Sequence, residues 1–227
     1  MSLFKFGKSF IARYPAMLRI CAKCYSICGG NSKKTRGKSN EIIADEAFMR
    51  NNRIFIRGNN NKIIIGSKAY LKGCRFSIAG NGNIIKIGDM TAMHGVEICT
   101  ENNNNQITIG NKCLFAGKAH LAAIEGTKIS LGDNCLLSGE IVFRTGDSHS
   151  ITDVSGRRIN PSEDILVEDH VWIGYRVLIN KGVHIMRDSI VGTGAIVTRK
   201  FEEGGAVLAG VPARIVKRNV SWDINRI

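Results

Sequence analysis

Four stretches of this sequence repeat one phrase: GNNNKIIIG (residues 58–66), GNGNIIKIG (80–88), NNNNQITIG (102–110) and EGTKISLG (125–132). Their closing glycines, Gly66, Gly88, Gly110 and Gly132, stand 22 residues apart. Aligned on those glycines, whole columns agree. One residue earlier are Ile65, Ile87, Ile109 and Leu131; three earlier are Ile63, Ile85, Ile107 and Ile129. Five and seven earlier are Asn61/Asn59, Asn83/Asn81 and Asn105/Asn103, relaxing to Thr127/Glu125 in the fourth copy. Five later are Leu71, Met93, Phe115 and Leu137, and seven later Gly73, Gly95, Gly117 and Gly139. Apolar residues at alternate positions give a strand with one buried face. Recurrence at a fixed long period means that each copy lies over the last, so that like side chains stack. Asn tolerates the left-handed backbone of sharp corners and forms amide ladders. The repeat therefore predicts an all-β solenoid.

Further on the period shortens. Ile173-Gly174 and Val191-Gly192 are 18 residues apart, and Ile173, Ile179, Ile185, Val191 and Val197 recur every six. One apolar residue in six predicts a triangular coil with three short faces. The 22-residue coil is then an 18-residue coil with four extra residues at one corner. The gap from Gly132 to Gly174 exceeds one coil of each kind, so residues 144–164 are expected to be an extruded loop.

Composition agrees with this class. The chain has 227 residues, 44% hydrophobic and 22% charged, which excludes wholesale disorder and a polytopic membrane protein. With 25 glycines, 3 prolines and 7% aromatics it suits stacked β structure. Of the net charge of +13, nine units fall in residues 1–40, which have no acid, leaving the remaining residues only +4. The basicity thus belongs largely to an N-terminal arm, and no nucleic-acid-binding signature accompanies it, so nucleic acid is not expected as a partner. Seven cysteines are an odd number without the density of a disulfide scaffold, which favours a reduced, cytoplasmic setting. Cys21, Cys24 and Cys28 share a helical face, and Cys113 and Cys135 should stack in adjacent coils. No apolar run is long enough to span a bilayer.

The stretch VWIGYRVLINKGVHIMRDSIVGTGAIVTRK (171–200) with AVLAGVPARIVK (206–217) resembles the hexapeptide-repeat acyltransferases. The preceding GDSHSITDVSGRRINPSEDILVEDHVWIG (146–174) resembles the branch that O-acetylates sugars and polysaccharides. This resemblance implies a left-handed parallel β-helix, a homotrimer, and acetyl-coenzyme A as co-substrate in the groove between subunits. It places the family's catalytic histidine on His149, which would take the proton of the attacking sugar hydroxyl, a task suited to an imidazole. Asp147, two residues earlier, either orients that ring or is a solvated turn residue. Trp172 either offers its indole N–H to a developing oxyanion or plugs the coil beneath the loop. Cofactor contacts carry over onto Tyr175, Thr193, Thr198, Arg199, Arg214 and Lys217. Gly192 and Gly194 around Thr193 admit a thin pantetheine arm, and the basic residues suit phosphates. Tyr175 departs from the small residue usual there, and Phe201–Gly205 from the usual proline-containing loop. Lys118, His120 and Arg144 are assigned to the acceptor. No metal is expected, because the close histidine pair of the zinc-dependent β-helix carbonic anhydrases is absent.

The expected organisation is a basic helical arm and linker at 1–40, the β-helix at 41–218 and a tail at 219–227. Within the arm, Phe4, Phe6, Phe10 and Ile11 beside Lys5, Lys8 and Arg13 suit either the anionic inner face of a membrane or a helix packed on the trimer. The function expected is acetyl transfer to a hydroxyl of a bacterial surface polysaccharide or its precursor. The alternatives are N-acetylation of an amino sugar or other small acceptor, and a silent β-helix scaffold.

Overall fold

A computed structural model describes residues 15–225. The membrane-facing reading of Phe4–Arg13 lies outside them. Pro15–Ile27 form one helix, α1, which begins at a proline and ends just before Gly29-Gly30. Pro at the first helical position gives up an N–H that would have no partner anyway. Among the described residues no helix is long and apolar enough to cross a membrane.

The rest is a triangular parallel β-solenoid. Face one runs from Ser32–Arg36 to Ile196–Val197, face two from Glu41–Ile43 to His184–Ile185, and face three from Phe48–Arg50 to Ala213–Lys217. Each face takes every third strand as far as Ile196–Val197, and pairing is parallel until the closing hairpin of Val207–Gly210 with Ala213–Lys217. Strands three apart in sequence pair in register because the sequence repeat is the coil length. Ile63, Ile85, Ile107, Ile129 and Ile165 thus stand in one column, each at most 1% exposed. Burial of each such side chain contributes roughly 1.5–3 kcal/mol. Phe76, Phe115 and Phe143 fill the wider parts of the same core.

The four extra residues of the long coils lie between faces one and two. Inward residues follow each other at six positions from Leu131 to Leu137 to Phe143, but Leu121 precedes Leu131 by ten. That corner is held by an amide ladder. The Nδ2 of Asn61, Asn83 and Asn105 each donate to the Oδ1 of the preceding Asn40, Asn61 and Asn83, at 3.0, 3.1 and 2.9 Å. The same oxygens accept the backbone N–H of the following asparagine, so buried amides and corner backbone satisfy each other. Gly58 and Gly80 (φ 135° and 115°) close the turn; a Cβ on either would lie 1.9 Å from a carbonyl oxygen of the next coil.

The solenoid starts earlier than the repeat suggests. Ser32–Arg36, expected within a linker, is the first strand of face one and pairs with Arg53–Arg57. It shows no apolar alternation because it is the first strand of its face, and all five of its residues are exposed. At the other end the tail folds back, Val220 N–H donating to Gly205 O at 2.9 Å and Trp222 Nε1 to His170 O at 2.8 Å. Cys113 and Cys135 stack in adjacent coils, and all seven cysteines are free. Burial pushes the Cys74 thiol up to about 11, which keeps it protonated and unreactive.

Candidate active site

The segment between Ile141–Arg144 and Ile165–Val167 leaves the coil at the corner of faces one and two, where the asparagine ladder ends. Thr127 Oγ1 and Thr145 Oγ1, 2.6 Å apart, finish the ladder just beneath it. Three ties hold this loop down. Arg158 grips Glu125 with both guanidinium nitrogens at 2.9 and 3.0 Å, and Ser162 Oγ adds a bond to Glu125 at 2.8 Å. Lys181 Nζ, from the next coil, donates to Asp147 Oδ2 at 2.6 Å. Asn160, 6% exposed, donates from one Nδ2 to Asp147 Oδ2 at 2.8 Å and to the carbonyl of His149 at 2.9 Å, while its Oδ1 accepts from Ile151 N–H at 2.7 Å.

His149 therefore sits on a fixed backbone with an exposed ring. Among the described residues no side chain hydrogen-bonds that imidazole. Asp147 faces Lys181 and Asn160, whose hydrogen bonds hold its carboxyl below the ordinary carboxylate range. It braces the histidine's backbone through Asn160. Ser148, just before the histidine, takes a left-handed φ of 65°, which turns the chain at this point.

Trp172 and the expected cofactor residues stand elsewhere. Trp172 lies on face three, 38% exposed, with Nε1 3.4 Å from Ser138 Oγ and its ring 6.2 Å from Trp222. His170, in the same coil, stacks on Trp222 at 4.4 Å and sets Nδ1 2.7 Å from Asp188. Tyr175 and Thr193 lie on adjacent coils at the corner of faces three and one, joined by the bond from Gly194 N–H to Tyr175 O at 2.8 Å. The ring of Tyr175 lies along Gly139 and under the Arg176 guanidinium, and Glu140 raises the pKa of its phenol. Arg214, opposite Ala209 in the final hairpin, is in the neighbouring layer, because Ala209 Cβ lies over Gly192. Lys217 is exposed on the same hairpin. Thr198 and Arg199 follow the last strand of face one, with Arg199 over the Phe201 ring at 5.2 Å, away from that corner.

Among the acceptor candidates, Lys118 is exposed at the corner of faces three and one, while His120 and Arg144 project from face one. His120 Nδ1 is 3.4 Å from Glu97 Oε2, and with Cys99 these form a cluster whose donor atoms lie within 4.8 Å of one another. Burial and the Glu97 charge push the Cys99 thiol up to about 11. Asn160, Lys181, Trp222 and this cluster escape a linear reading. Only the coil length of 22 or 23, applied to outward positions, would have paired Glu97 with His120.

In a triangular coil the corner of faces one and two is opposite face three. Within one chain, His149 and the Trp172–Thr193 region occupy different edges.

Three parallel faces wound as a triangular β-solenoid, with a histidine loop extruded at one corner, define the class of fold, and similarity to known proteins supplies the class of activity. No family model matches. The crystallographically analysed polysialic acid O-acetyltransferase OatWY superposes with a TM-score of 0.80 and 30% identity, over 87% of this chain and 92% of that one. The polysialic acid-specific acetyltransferase NeuO gives 0.76 and 26%, over 86% and 90%. A polysialic acid O-acetyltransferase of Escherichia coli O1:K1 / APEC is 37% identical over 84 residues, 37% of this chain. The galactoside O-acetyltransferase of Escherichia coli K12 is 43% identical over 53 residues, 23% of this chain. These two matches span 27% and 26% of the relatives' lengths. The chain belongs to the hexapeptide-repeat acetyltransferases, with their left-handed parallel β-helix.

Proposed function

We propose that this protein transfers the acetyl group of acetyl-coenzyme A to a sugar hydroxyl in a bacterial surface polysaccharide or its precursor, with His149 as general base. The observation that carries this reading is the His149 loop itself: a backbone fixed by Asn160, Asp147 and Lys181 under an imidazole left open to a substrate. In the reaction the sugar oxygen bonds to the acetyl carbon as the carbon–sulfur bond breaks. His149 accepts the hydroxyl proton and passes it to the departing thiolate. Trp172 Nε1, only weakly engaged by Ser138, supplies an N–H for the oxyanion, and Tyr175, Thr193 and Arg214 line the donor groove. Lys217 adds charge further along it, while Thr198 and Arg199, on the same edge as His149, serve the donor held against the neighbouring copy. His149 and that groove lie on different edges of one chain, which supports a site shared by two copies, in the homotrimer that the family resemblance implies.

A thiol-release assay with polysaccharide and short sugar acceptors, run beside a coenzyme-binding titration, tests the reading. His149→Ala should lower turnover by at least about 10²-fold and leave coenzyme affinity nearly unchanged. A variant keeping more than about a tenth of wild-type turnover removes His149 as the base, and a wild-type chain that binds no coenzyme favours the scaffold alternative.

A further inference from the structure

The first three strands of face one carry a cationic surface that the acetyl-transfer reading does not use. In register, their outward residues form three rows across the strands: Ser32–Arg53–Arg75, Lys34–Phe55–Ser77 and Arg36–Arg57–Ala79. Neighbouring strands are about 4.8 Å apart and alternate residues about 6.6 Å. Five cations therefore ring Phe55 on a patch of roughly 13 by 10 Å. Phe55 is 37% exposed, and the five cations are all exposed. None of the three strands contains an acid; the first, Glu97, comes on the fourth and reaches Arg75 at 3.9 Å. Among the described residues Lys34, Arg36, Arg53 and Arg57 have no carboxylate within ion-pair distance. A groove of about 420 Å³ runs between Lys33, Lys34, Arg53, Phe55 and Arg75.

We propose that this surface binds an anionic polysaccharide, holding a distant stretch of the same acceptor chain whose hydroxyl is acetylated at His149. The inference rests on the acetyl-transfer reading and names its acceptor class. Like charges gathered in register repel one another, so the arrangement calls for a polyanion to neutralise it. A single exposed ion pair is weak, and only a polymer offers many at once. The bare face of Phe55 between Arg53 and Arg57 suits the C–H face of a pyranose ring while the guanidiniums take its carboxylates. One aromatic amid the cations is too few for the serial base stacking of single-stranded nucleic acid. Phe55 is the one large apolar side chain in the three rows, too little apolar surface to enter a lipid layer. Two relatives of this fold are named for polysialic acid, a polymer with one carboxylate per sugar. The strand Arg75–Ala79 is three strand spacings from Ile141–Arg144, about 14 Å along the axis, so one polymer can cover both the patch and the loop while a single sugar cannot.

The test uses the full chain and its variant Arg53→Gln/Arg57→Gln/Arg75→Gln, with Phe55→Ala as a second variant. Binding is read by anisotropy of labelled polysialic acid, labelled neutral dextran and a single-stranded DNA oligomer, and by sedimentation with phosphatidylserine vesicles. Polysialic acid should bind in a salt-sensitive way and dextran should not. The triple variant should weaken polysialic acid at least tenfold and Phe55→Ala severalfold, with the coenzyme titration unchanged. In transfer assays the variants should raise KM for the polymer and leave kcat, and the rate on sialic acid monomer, untouched. Unaltered polysialic acid binding in both variants, or tighter binding of DNA or vesicles than of polysialic acid, overturns the proposal. A change in oligomeric state on removing the arginines also overturns it, making the face a contact between copies. Absence of transfer to every acceptor by a wild-type chain that still binds polysialic acid through these residues defeats the acetyl-transfer reading alone.

Discussion

Asn160 donates a hydrogen bond to the main-chain carbonyl of His149, 11 residues earlier, at 2.9 Å, and the same nitrogen reaches Asp147 at 2.8 Å. The histidine is thus placed through its backbone, and the carboxylate beside it in sequence serves the same brace from below. A ring held in this way keeps both nitrogens free for a substrate.

Asn160→Ala should then lower turnover by between about 10- and 100-fold, the range expected when a reacting group shifts by about 1 Å. Coenzyme affinity should not move, and the loop amides around His149 should exchange faster. Asp147→Asn keeps the acceptor for Asn160 and should lose much less. Equal losses in turnover and in coenzyme affinity would mean that Asn160 supports the whole coil end.

The corner ladder makes a sharper distinction. Asn83 is buried, donates to Asn61 Oδ1 and Asn102 O, and accepts from Asn105. Asn81, which is exposed, makes a comparable link, its Nδ2 and backbone N–H both donating to Oδ1 of the exposed Asn103 in the next coil. Orphaning a buried polar group costs about 1–3 kcal/mol, and Asn83→Ala orphans more than one. It should destabilise the protein by at least about 2 kcal/mol in urea unfolding, while Asn81→Ala, whose partners turn to water, should cost under about 1 kcal/mol. Similar midpoints for the two would show that the buried ladder contributes nothing particular.

The stacked part of the fold was legible because Ile63, Ile85 and their successors occupy identical positions in every coil, and an inward column needs only the period to be seen. Ser32–Arg36 was not, since a terminal strand buries no alternate residues and SKKTR reads as a linker. His149 was singled out as the candidate base only by the wording around it. Asn160 and Lys181 were missed because they join Asp147 across 13 and 34 residues by loop geometry, which follows no period. Trp222 was missed for a similar reason: a tail's docking onto His170 leaves no local pattern.

Acid should release the loop before it melts the coils. Lys181 and Asn160 hold the Asp147 carboxyl below its ordinary range, and Arg158 and Ser162 do the same for Glu125. Carboxylates with lowered native pKa stabilise the fold above their unfolded values, and that support is lost as pH falls through the lowered ones. Both pairs are partly exposed, so each contribution is small. Hydrogen exchange of residues 146–163 should be insensitive to pH from 7 to 5, after correction for the intrinsic rate. Below about pH 4, protection there should fall while the Ile85 and Ile107 strands stay closed. Loss of protection already above pH 5, or together with those strands, would show that other groups hold the loop.

His149 projects at the corner of faces one and two, while Tyr175, Thr193 and Arg214 gather at the corner of faces three and one. If each site joins two copies, two inactive variants can repair one another. His149→Ala spoils the base edge and leaves the donor edge intact; Arg214→Glu does the reverse. Mixed trimers formed by co-expression at equal levels then contain sites with an intact His149 from one copy and an intact Arg214 from its neighbour. Random assembly gives about one such site in four, so activity should return to about a quarter of wild type. Each variant alone should stay near background, and mixing preformed trimers without exchange should restore nothing. If His149 and Arg214 instead serve the same site from one chain, every site in the mixture carries one lesion. Co-expression would then leave activity at background, and the two-copy site would have to be abandoned.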